Sequence, residues 1–177
     1  MRLFISIELE EKLKKYLSEK VLILKRNSEY GSFTRADNLH LTLAFIGETA
    51  NYHKVIEILD SIKIEPFDLK INGAGKFKRN DGNIYWAKCE KNPALLRIQR
   101  VIAQRLRASR FDIETRAYTP HITLSRRTRL HKEFDESNFM NNFDEISQKV
   151  DCIVLNESIF QSTGVIYRKV YTRKADL

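Results

Sequence analysis

The sequence has little of what marks a metal site, a disulfide scaffold or a membrane anchor. Its only cysteines are Cys89 and Cys152. Neither belongs to a CxxC pair or a His/Cys cluster, which excludes the common zinc arrangements. Both fall in strand-like runs, NIYWAKCE and VDCIVLNE, and read as buried thiols in a reducing compartment, although two cysteines alone leave a mutual bridge open. There is no acidic cluster of the kind that holds magnesium, and no Gly-rich loop that cradles a nucleotide triphosphate. The composition thus calls for no cofactor and no metal. No stretch approaches the roughly 20 apolar residues of a membrane span. The opening MRLFISIELEEKLKK has too short an apolar run, followed at once by acidic residues, to be a signal peptide. The expectation is a cytoplasmic monomer with no membrane partner.

What is present fits an ordinary globular chain. At 177 residues, 42% hydrophobic and 31% charged, it suits one domain or two joined lobes with a core large enough to need no staple. The net charge of +8 is concentrated. Residues 97 to 132 carry nine Arg and Lys132 against Asp112 and Glu114, and this window alone accounts for the excess. Such a field attracts polyanions. Scattered basic residues on a solvated helix face are the plainer reading.

Periodicity predicts a strand at MRLFISIEL. A helix follows, on which Leu9, Leu13, Tyr16, Leu17, Val21 and Leu24 follow helical spacing. NSEYGSFTRADN reads as polar and turn-rich. NLHLTLAFIG reads as a strand, YHKVIEILDSIK as a short helix limited by Pro66, and FDLKINGAGKF with NIYWAKCE as a hairpin around NDGN. A helix beginning near Pro93 buries Leu95, Ile98, Val101, Ile102 and Leu106. YTPHITLSR is a strand, residues 130 to 149 are helical or irregular, and KVDCIVLNESIFQ and VIYRKVYTRK pair around Thr163-Gly164. The class is α+β with two similar lobes. One strand in each half of the chain carries a His-x-Thr step.

Those two steps carry the chemistry. In HLTL, alternation puts His40 and Thr42 on one face and Leu39, Leu41, Leu43 and Phe45 on the other. HITL repeats this, with His121 and Thr123 opposite Ile122 and Leu124. Four His and nine Thr in 177 residues supply about 0.2 such steps by chance; two occur, both in apolar strands. Facing lobes would bring four polar groups to one cleft. Hydrolysing a phosphodiester needs a base for the water and an acid for the departing oxygen. Two imidazoles fill both roles near neutrality, each contributing roughly 10²–10⁴-fold. Threonine hydroxyls and a cation can stabilise the charge that grows on phosphorus-bound oxygens.

These residues resemble the two-histidine (2H) phosphoesterase superfamily, in its RNA 2′,3′-cyclic phosphodiesterase branch, also called 2′-5′ RNA ligase. The likeness runs through MRLFISIEL, RADNLHLTLAFIGE, RAYTPHITLSR and the LNES…G..Y ending, which is nearly the whole chain. It implies one domain over residues 1–177 made of two pseudo-symmetric lobes, with two antiparallel sheets facing a central cleft, helices outside and no metal. It implies His40 as proton donor to the leaving 3′-oxygen and His121 as proton acceptor from water. Thr42 and Thr123 would hold phosphate oxygens, and the substrate would be RNA with 2′,3′-cyclic phosphate ends or cyclic nucleotides. It further implies substrate contacts from Arg126, Phe33, Tyr118 and Tyr167. Phe33 takes the place of a common Trp, Ala117-Tyr118 that of Pro-Phe, and Asn156 that of a Tyr. Strict alternation points Arg126, Arg116 and Tyr118 away from His121, so their contribution depends on how the chain bends.

Several other readings stand beside this one. His53 and His131 lie in polar surroundings and read as surface residues. Trp86 reads first as a core residue. A basic RNA-binding module is the alternative from another class, but a pure binder needs no matched acid and base. Enzymes of the same superfamily acting on 2′-5′-linked oligonucleotides, and ligation as the reverse reaction, share the cleft.

Overall fold

Alternation and burial explain why the chain forms two sheets rather than one. The computed structural model describes residues 1–176. The strands are β1 (Arg2–Glu8), β2 (Ser28–Phe33), β3 (His40–Glu48), β4 (Phe67–Phe77), β5 (Asn83–Cys89), β6 (His121–Leu130), β7 (Ile146–Val150), β8 (Cys152–Gln161) and β9 (Gly164–Lys174). The helices are α1 (Glu11–Arg26), α2 (Tyr52–Asp60), α3 (Pro93–Ala108) and α4 (Glu136–Asn141), with a 3₁₀ turn at Ala36–Asn38. One sheet runs β3-β1-β8-β9 and the other β2-β6-β5-β4-β7, and every pairing is antiparallel. The architecture is α+β, with two antiparallel sheets facing a central cleft and the helices outside.

Each helix follows from its own sequence. α1 buries Leu13, Leu17, Val21 and Leu24 and contacts β2, β6 and β7. α3 starts at Pro93, whose missing N–H costs nothing in the first turn, and the Asn92 side chain accepts from the Ala94 and Leu95 amides. It packs on α2 and reaches β3 and β4. The inward faces of both sheets meet these helices through Leu3, Ile5, Leu41, Ile122, Leu124 and Leu155, all fully buried. Each such side chain contributes about 1.5–3 kcal/mol by leaving water.

The structure departs from the sequence reading in four places. Residues 28–33, read as turn-rich, form β2; an edge strand with one exposed face needs no apolar run. Residues 146–149, expected to be helical or irregular, belong with Val150 to β7, where Gln148 is buried by accepting from the Glu10 amide and donating to the Glu8 carbonyl. The sheets are not the two halves of the chain, because the β8–β9 hairpin completes the sheet begun by β1 and β3. Finally, Phe45 does not point into the apolar layer but is 47% exposed.

The cause of this last difference is a β-bulge. Opposite β1, Ser6 pairs with Thr42 and Ile5 with Ala44, so Leu43 is an extra residue. Opposite β5, Trp86 pairs with Thr123 and Tyr85 with Ser125, so Leu124 is extra in the same way. Each insertion reverses the alternation beyond it. Phe45 and Arg126, each five residues past its histidine, thereby return to the histidine's face. The first six residues of β3 and β6 share one burial pattern as a result.

Candidate active site

Each histidine is fixed through its Nδ1. His40 Nδ1 lies 2.7 Å from the Asn38 carbonyl oxygen, at the end of the 3₁₀ turn. His121 Nδ1 lies 2.7 Å from the Thr119 carbonyl oxygen. A carbonyl can only accept, so both rings carry the proton on Nδ1 and leave Nε2 for chemistry. His40 Nε2 is 3.0 Å from Thr42 Oγ1.

Aromatic rings hold both imidazoles. Phe4 and Tyr167 flank His40, with centroids at 4.9 and 5.2 Å. Phe77 and Trp86 flank His121, at 5.2 and 5.8 Å. Burial among these rings is the main cause that pushes both histidines below their ordinary value of 6.5, against the opposing pull of the carbonyl bonds. The Arg126 guanidinium adds to the depression at both histidines, and it lowers Tyr167, whose pKa burial nevertheless raises. Its charge therefore acts on groups of both sheets. His121 adds a smaller lowering effect at His40.

Two cavities lie against these residues with no lining residue in common, His40 lining the smaller and His121 the larger. A pocket of ≈190 Å³ lies against His40, Tyr167 and Asn156. The Asn156 side chain is buried and donates to Ser6 Oγ at 2.9 Å. A larger cavity of ≈550 Å³ is lined by Thr42, Phe45, Arg116, Tyr118, His121 and Arg126, with Arg79 and Phe77 at one wall. Arg126 Nη2 lies 3.5 Å from Thr123 Oγ1, which puts a cation beside the second threonine. Tyr118 does face this cavity, because the chain before Pro120 is irregular rather than strand. Its hydroxyl donates to the Thr42 carbonyl at 2.8 Å, binding the loop before β6 to the strand of the first motif.

Not every candidate from the sequence is gathered. Phe33 stands opposite Ser125 in β2, packs against the core and lines neither cavity. Its ring folds back over Gly31, where a Cβ would meet Phe33 Cζ at 2.9 Å. The arginine field also divides. Arg97 pairs with Glu65, Arg105 donates to Ser61, and Arg107 donates to the Glu114 carbonyl, and none of these three arginines lines either cavity. Of that window only Arg116 and Arg126 line the larger cavity. Both cysteines are free, and burial pushes the Cys89 thiol up to about 12.

Three aromatic neighbours, Phe4, Phe77 and Phe45, escaped the sequence reading, and a fourth, Trp86, was read first as core. Phe4 was hidden in an apolar run where both faces of β1 are buried. Trp86 reads as core but sits half-buried against His121, its ring seated over Gly75. A Cβ at Gly75 would fall 2.3 Å from Trp86 Cη2, so glycine is required there. The cross-strand pair Gly75–Trp86 that reveals it exists only once the register is known. Phe77, at the end of β4, and Phe45, turned by the bulge, carried no signal.

The sequence model of the 2′-5′ RNA ligase superfamily matches residues 13–155. An RNA 2′,3′-cyclic phosphodiesterase of Thermotoga maritima is 28% identical over 97% of this chain and 94% of that protein. A protein of the same name from Aeropyrum pernix is 32% identical over 78% of this chain and 83% of its own length. Among solved structures, Escherichia coli LigT complexed with 3′-AMP superposes with a TM-score of 0.81 at 22% identity, covering 99% of this chain and 98% of LigT. TT0787 of Thermus thermophilus superposes with a TM-score of 0.78 at 22% identity, over 98% and 97% of the two chains. These two likenesses concern the fold.

Proposed function

The chain belongs to the 2′-5′ RNA ligase superfamily, and from that premise we propose that its cleft opens 2′,3′-cyclic phosphate ends of RNA or nucleotides to 2′-phosphomonoesters, with His40 and His121 as acid and base. The relatives named RNA 2′,3′-cyclic phosphodiesterase support the reaction. The observation that carries the reading of the site is the matched pair of imidazoles, each locked by a carbonyl on Nδ1 and each two residues from a threonine.

In this reading His121 Nε2 takes a proton from water as its oxygen bonds to phosphorus. The P–O3′ bond breaks in line, and His40 Nε2–H gives its proton to O3′. The product keeps phosphate on O2′ and gains a free 3′-hydroxyl. Thr42, Thr123 and Arg126 stabilise the charge that builds on the non-bridging oxygens. If a 5′-hydroxyl replaces water, the same transfers leave a 2′-5′ linkage, which is ligation. His40 must enter this step protonated, although its buried setting favours the neutral ring. The phosphate anion of the substrate supplies the charge that restores the proton. The protein would act as a monomer in the cytoplasm, its two lobes forming one domain.

The test is incubation with a short RNA ending in a 2′,3′-cyclic phosphate, in the presence of a chelator, with identification of the product. The expected result is a 2′-phosphate end, with turnover reduced about 10²–10⁴-fold in His40→Ala and in His121→Ala. A 3′-phosphate product, or turnover abolished by the chelator, would overturn it.

A further inference from the structure

The two histidines are matched in their carbonyl locks and their threonines, so those features mark neither as acid or base. Opposite residues in an antiparallel pair share a face, and here the lobes differ. β1 places Ser6 opposite Thr42 and, two residues on, Glu8 opposite His40. β5 places Trp86 opposite Thr123 and, two residues on, Lys88 opposite His121. Equivalent positions thus hold a carboxylate opposite one imidazole and a lysine opposite the other.

Glu8 lines the ≈190 Å³ cavity together with His40, Tyr167 and Lys169, and with Lys14 of α1 and Asp37 of the 3₁₀ turn. Lys169 Nζ holds the Glu8 carboxylate at 2.6 Å, and Lys14 is taken up by Glu11 at 3.2 Å. Burial lowers His40 most, and Arg126 and His121 lower it further from the other sheet. Of the charged groups that line the cavity, Glu8 alone acts on the ring, and it favours the protonated form. No carboxylate among the described residues does the same for His121.

We infer that Glu8 is the positioning residue that makes His40, rather than His121, the proton donor of the pair. The inference rests on the proposed function and adds the group that assigns its two roles. The carbonyl bonds are alike at both rings, burial acts on both, and a phosphate held by Thr42, Thr123 and Arg126 would act on both. None of these separates acid from base. A negative charge on one side does. It also resets the enzyme. In the proposed step His121 Nε2 gains a proton from water and His40 Nε2 loses one to O3′, so each turnover ends with the proton on His121. One proton must then pass through solvent from His121 to His40, and the Glu8 charge favours that direction.

The experiment follows the ring protons of His40 and His121 by NMR across pH in the wild type, Glu8→Gln and Lys169→Gln, and measures turnover by the same proteins. In Glu8→Gln the His40 midpoint should move to lower pH while that of His121 stays. Lys169→Gln breaks the same ion pair but keeps the carboxylate, so its His40 midpoint should stay or move to higher pH. Glu8→Gln should open the cyclic phosphate about three- to tenfold more slowly at pH 7, and Glu8→Asp should recover most of that loss. A substrate with sulfur in place of O3′, whose departure needs no proton, should be turned over by Glu8→Gln at the wild-type rate. An unmoved His40 midpoint in Glu8→Gln overturns the inference. So does an equal fall in both variants, since the ion pair would then act only as a structural tie, and so does an equal loss with the sulfur substrate. If the wild type turns over neither substrate, the proposed reaction fails. The NMR titration needs no substrate and then decides alone: a lowered His40 midpoint in Glu8→Gln supports the action of Glu8 on that ring, and an unmoved one refutes it.

Discussion

At the residue scale, the two imidazoles differ from ordinary surface histidines in having Nδ1 committed to a backbone carbonyl, while Nε2 meets only the Thr42 hydroxyl in His40 and has no protein partner in His121 among the described residues. Carbonyl acceptors at Asn38 and Thr119 settle the tautomer without a carboxylate, so neither ring has an acidic partner to raise its pKa strongly. Burial dominates instead, and both rings favour the neutral form. Trp86 provides a direct readout for His121. It is the only tryptophan in the chain, and its ring centroid lies 5.8 Å from that imidazole. Protonated imidazole quenches indole emission. Fluorescence excited at the tryptophan band should fall as pH drops, with a midpoint below the ordinary 6.5, and the transition should vanish in His121→Ala. A midpoint at or above 6.5 would mean that the ring is less buried than described.

At the element scale, two matched bulges do what alternation alone does not. Leu43 and Leu124 each insert one residue after the His-x-Thr step, and this returns Phe45 and Arg126 to the cleft. The histidines, their threonines and the apolar faces at Leu41 and Ile122 were legible from strand period. The bulges were not, because Leu-Ala and Leu-Ser are not bulge signals; their inward pairs show only once the register is known. β2 and β7 were illegible for a different reason. Each lies at an edge of the five-stranded sheet, where polar residues facing water erase the pattern. The close approach of β4 to β5 at Gly75 likewise depends on register. Gly75→Ala places a methyl group within the Trp86 ring, so the indole must move and lose its place beside His121. The expected outcome is a shifted tryptophan spectrum, a Tm lower by a few degrees and turnover reduced by about tenfold, as befits a cost of about 1–3 kcal/mol for overpacking. An unchanged spectrum with wild-type turnover would show that the indole has no positioning role.

At the scale of the whole molecule, the site exists only where both sheets meet. His40 and Thr42 come from one sheet, His121, Thr123 and Arg126 from the other, and Tyr118 ties them through the Thr42 carbonyl. Stability should therefore register the histidines' protonation. A pKa lowered on folding means that the unfolded chain binds more protons between the folded value and 6.5. The contribution is fully present above 6.5 and is lost as pH falls through the folded values. Thermal melts across pH 7 to 5 should show a falling Tm whose slope is reduced in His40→Ala; an equal slope would contradict the burial of His40. The measurement that tests the central claim most directly replaces the 3′ bridging oxygen of the cyclic substrate by sulfur, which departs without needing a proton. If His40 is the acid and His121 the base, the sulfur substrate restores turnover to His40→Ala and leaves His121→Ala impaired. Rescue of His121→Ala instead, or wild-type turnover of the oxygen substrate by either variant, would contradict the account.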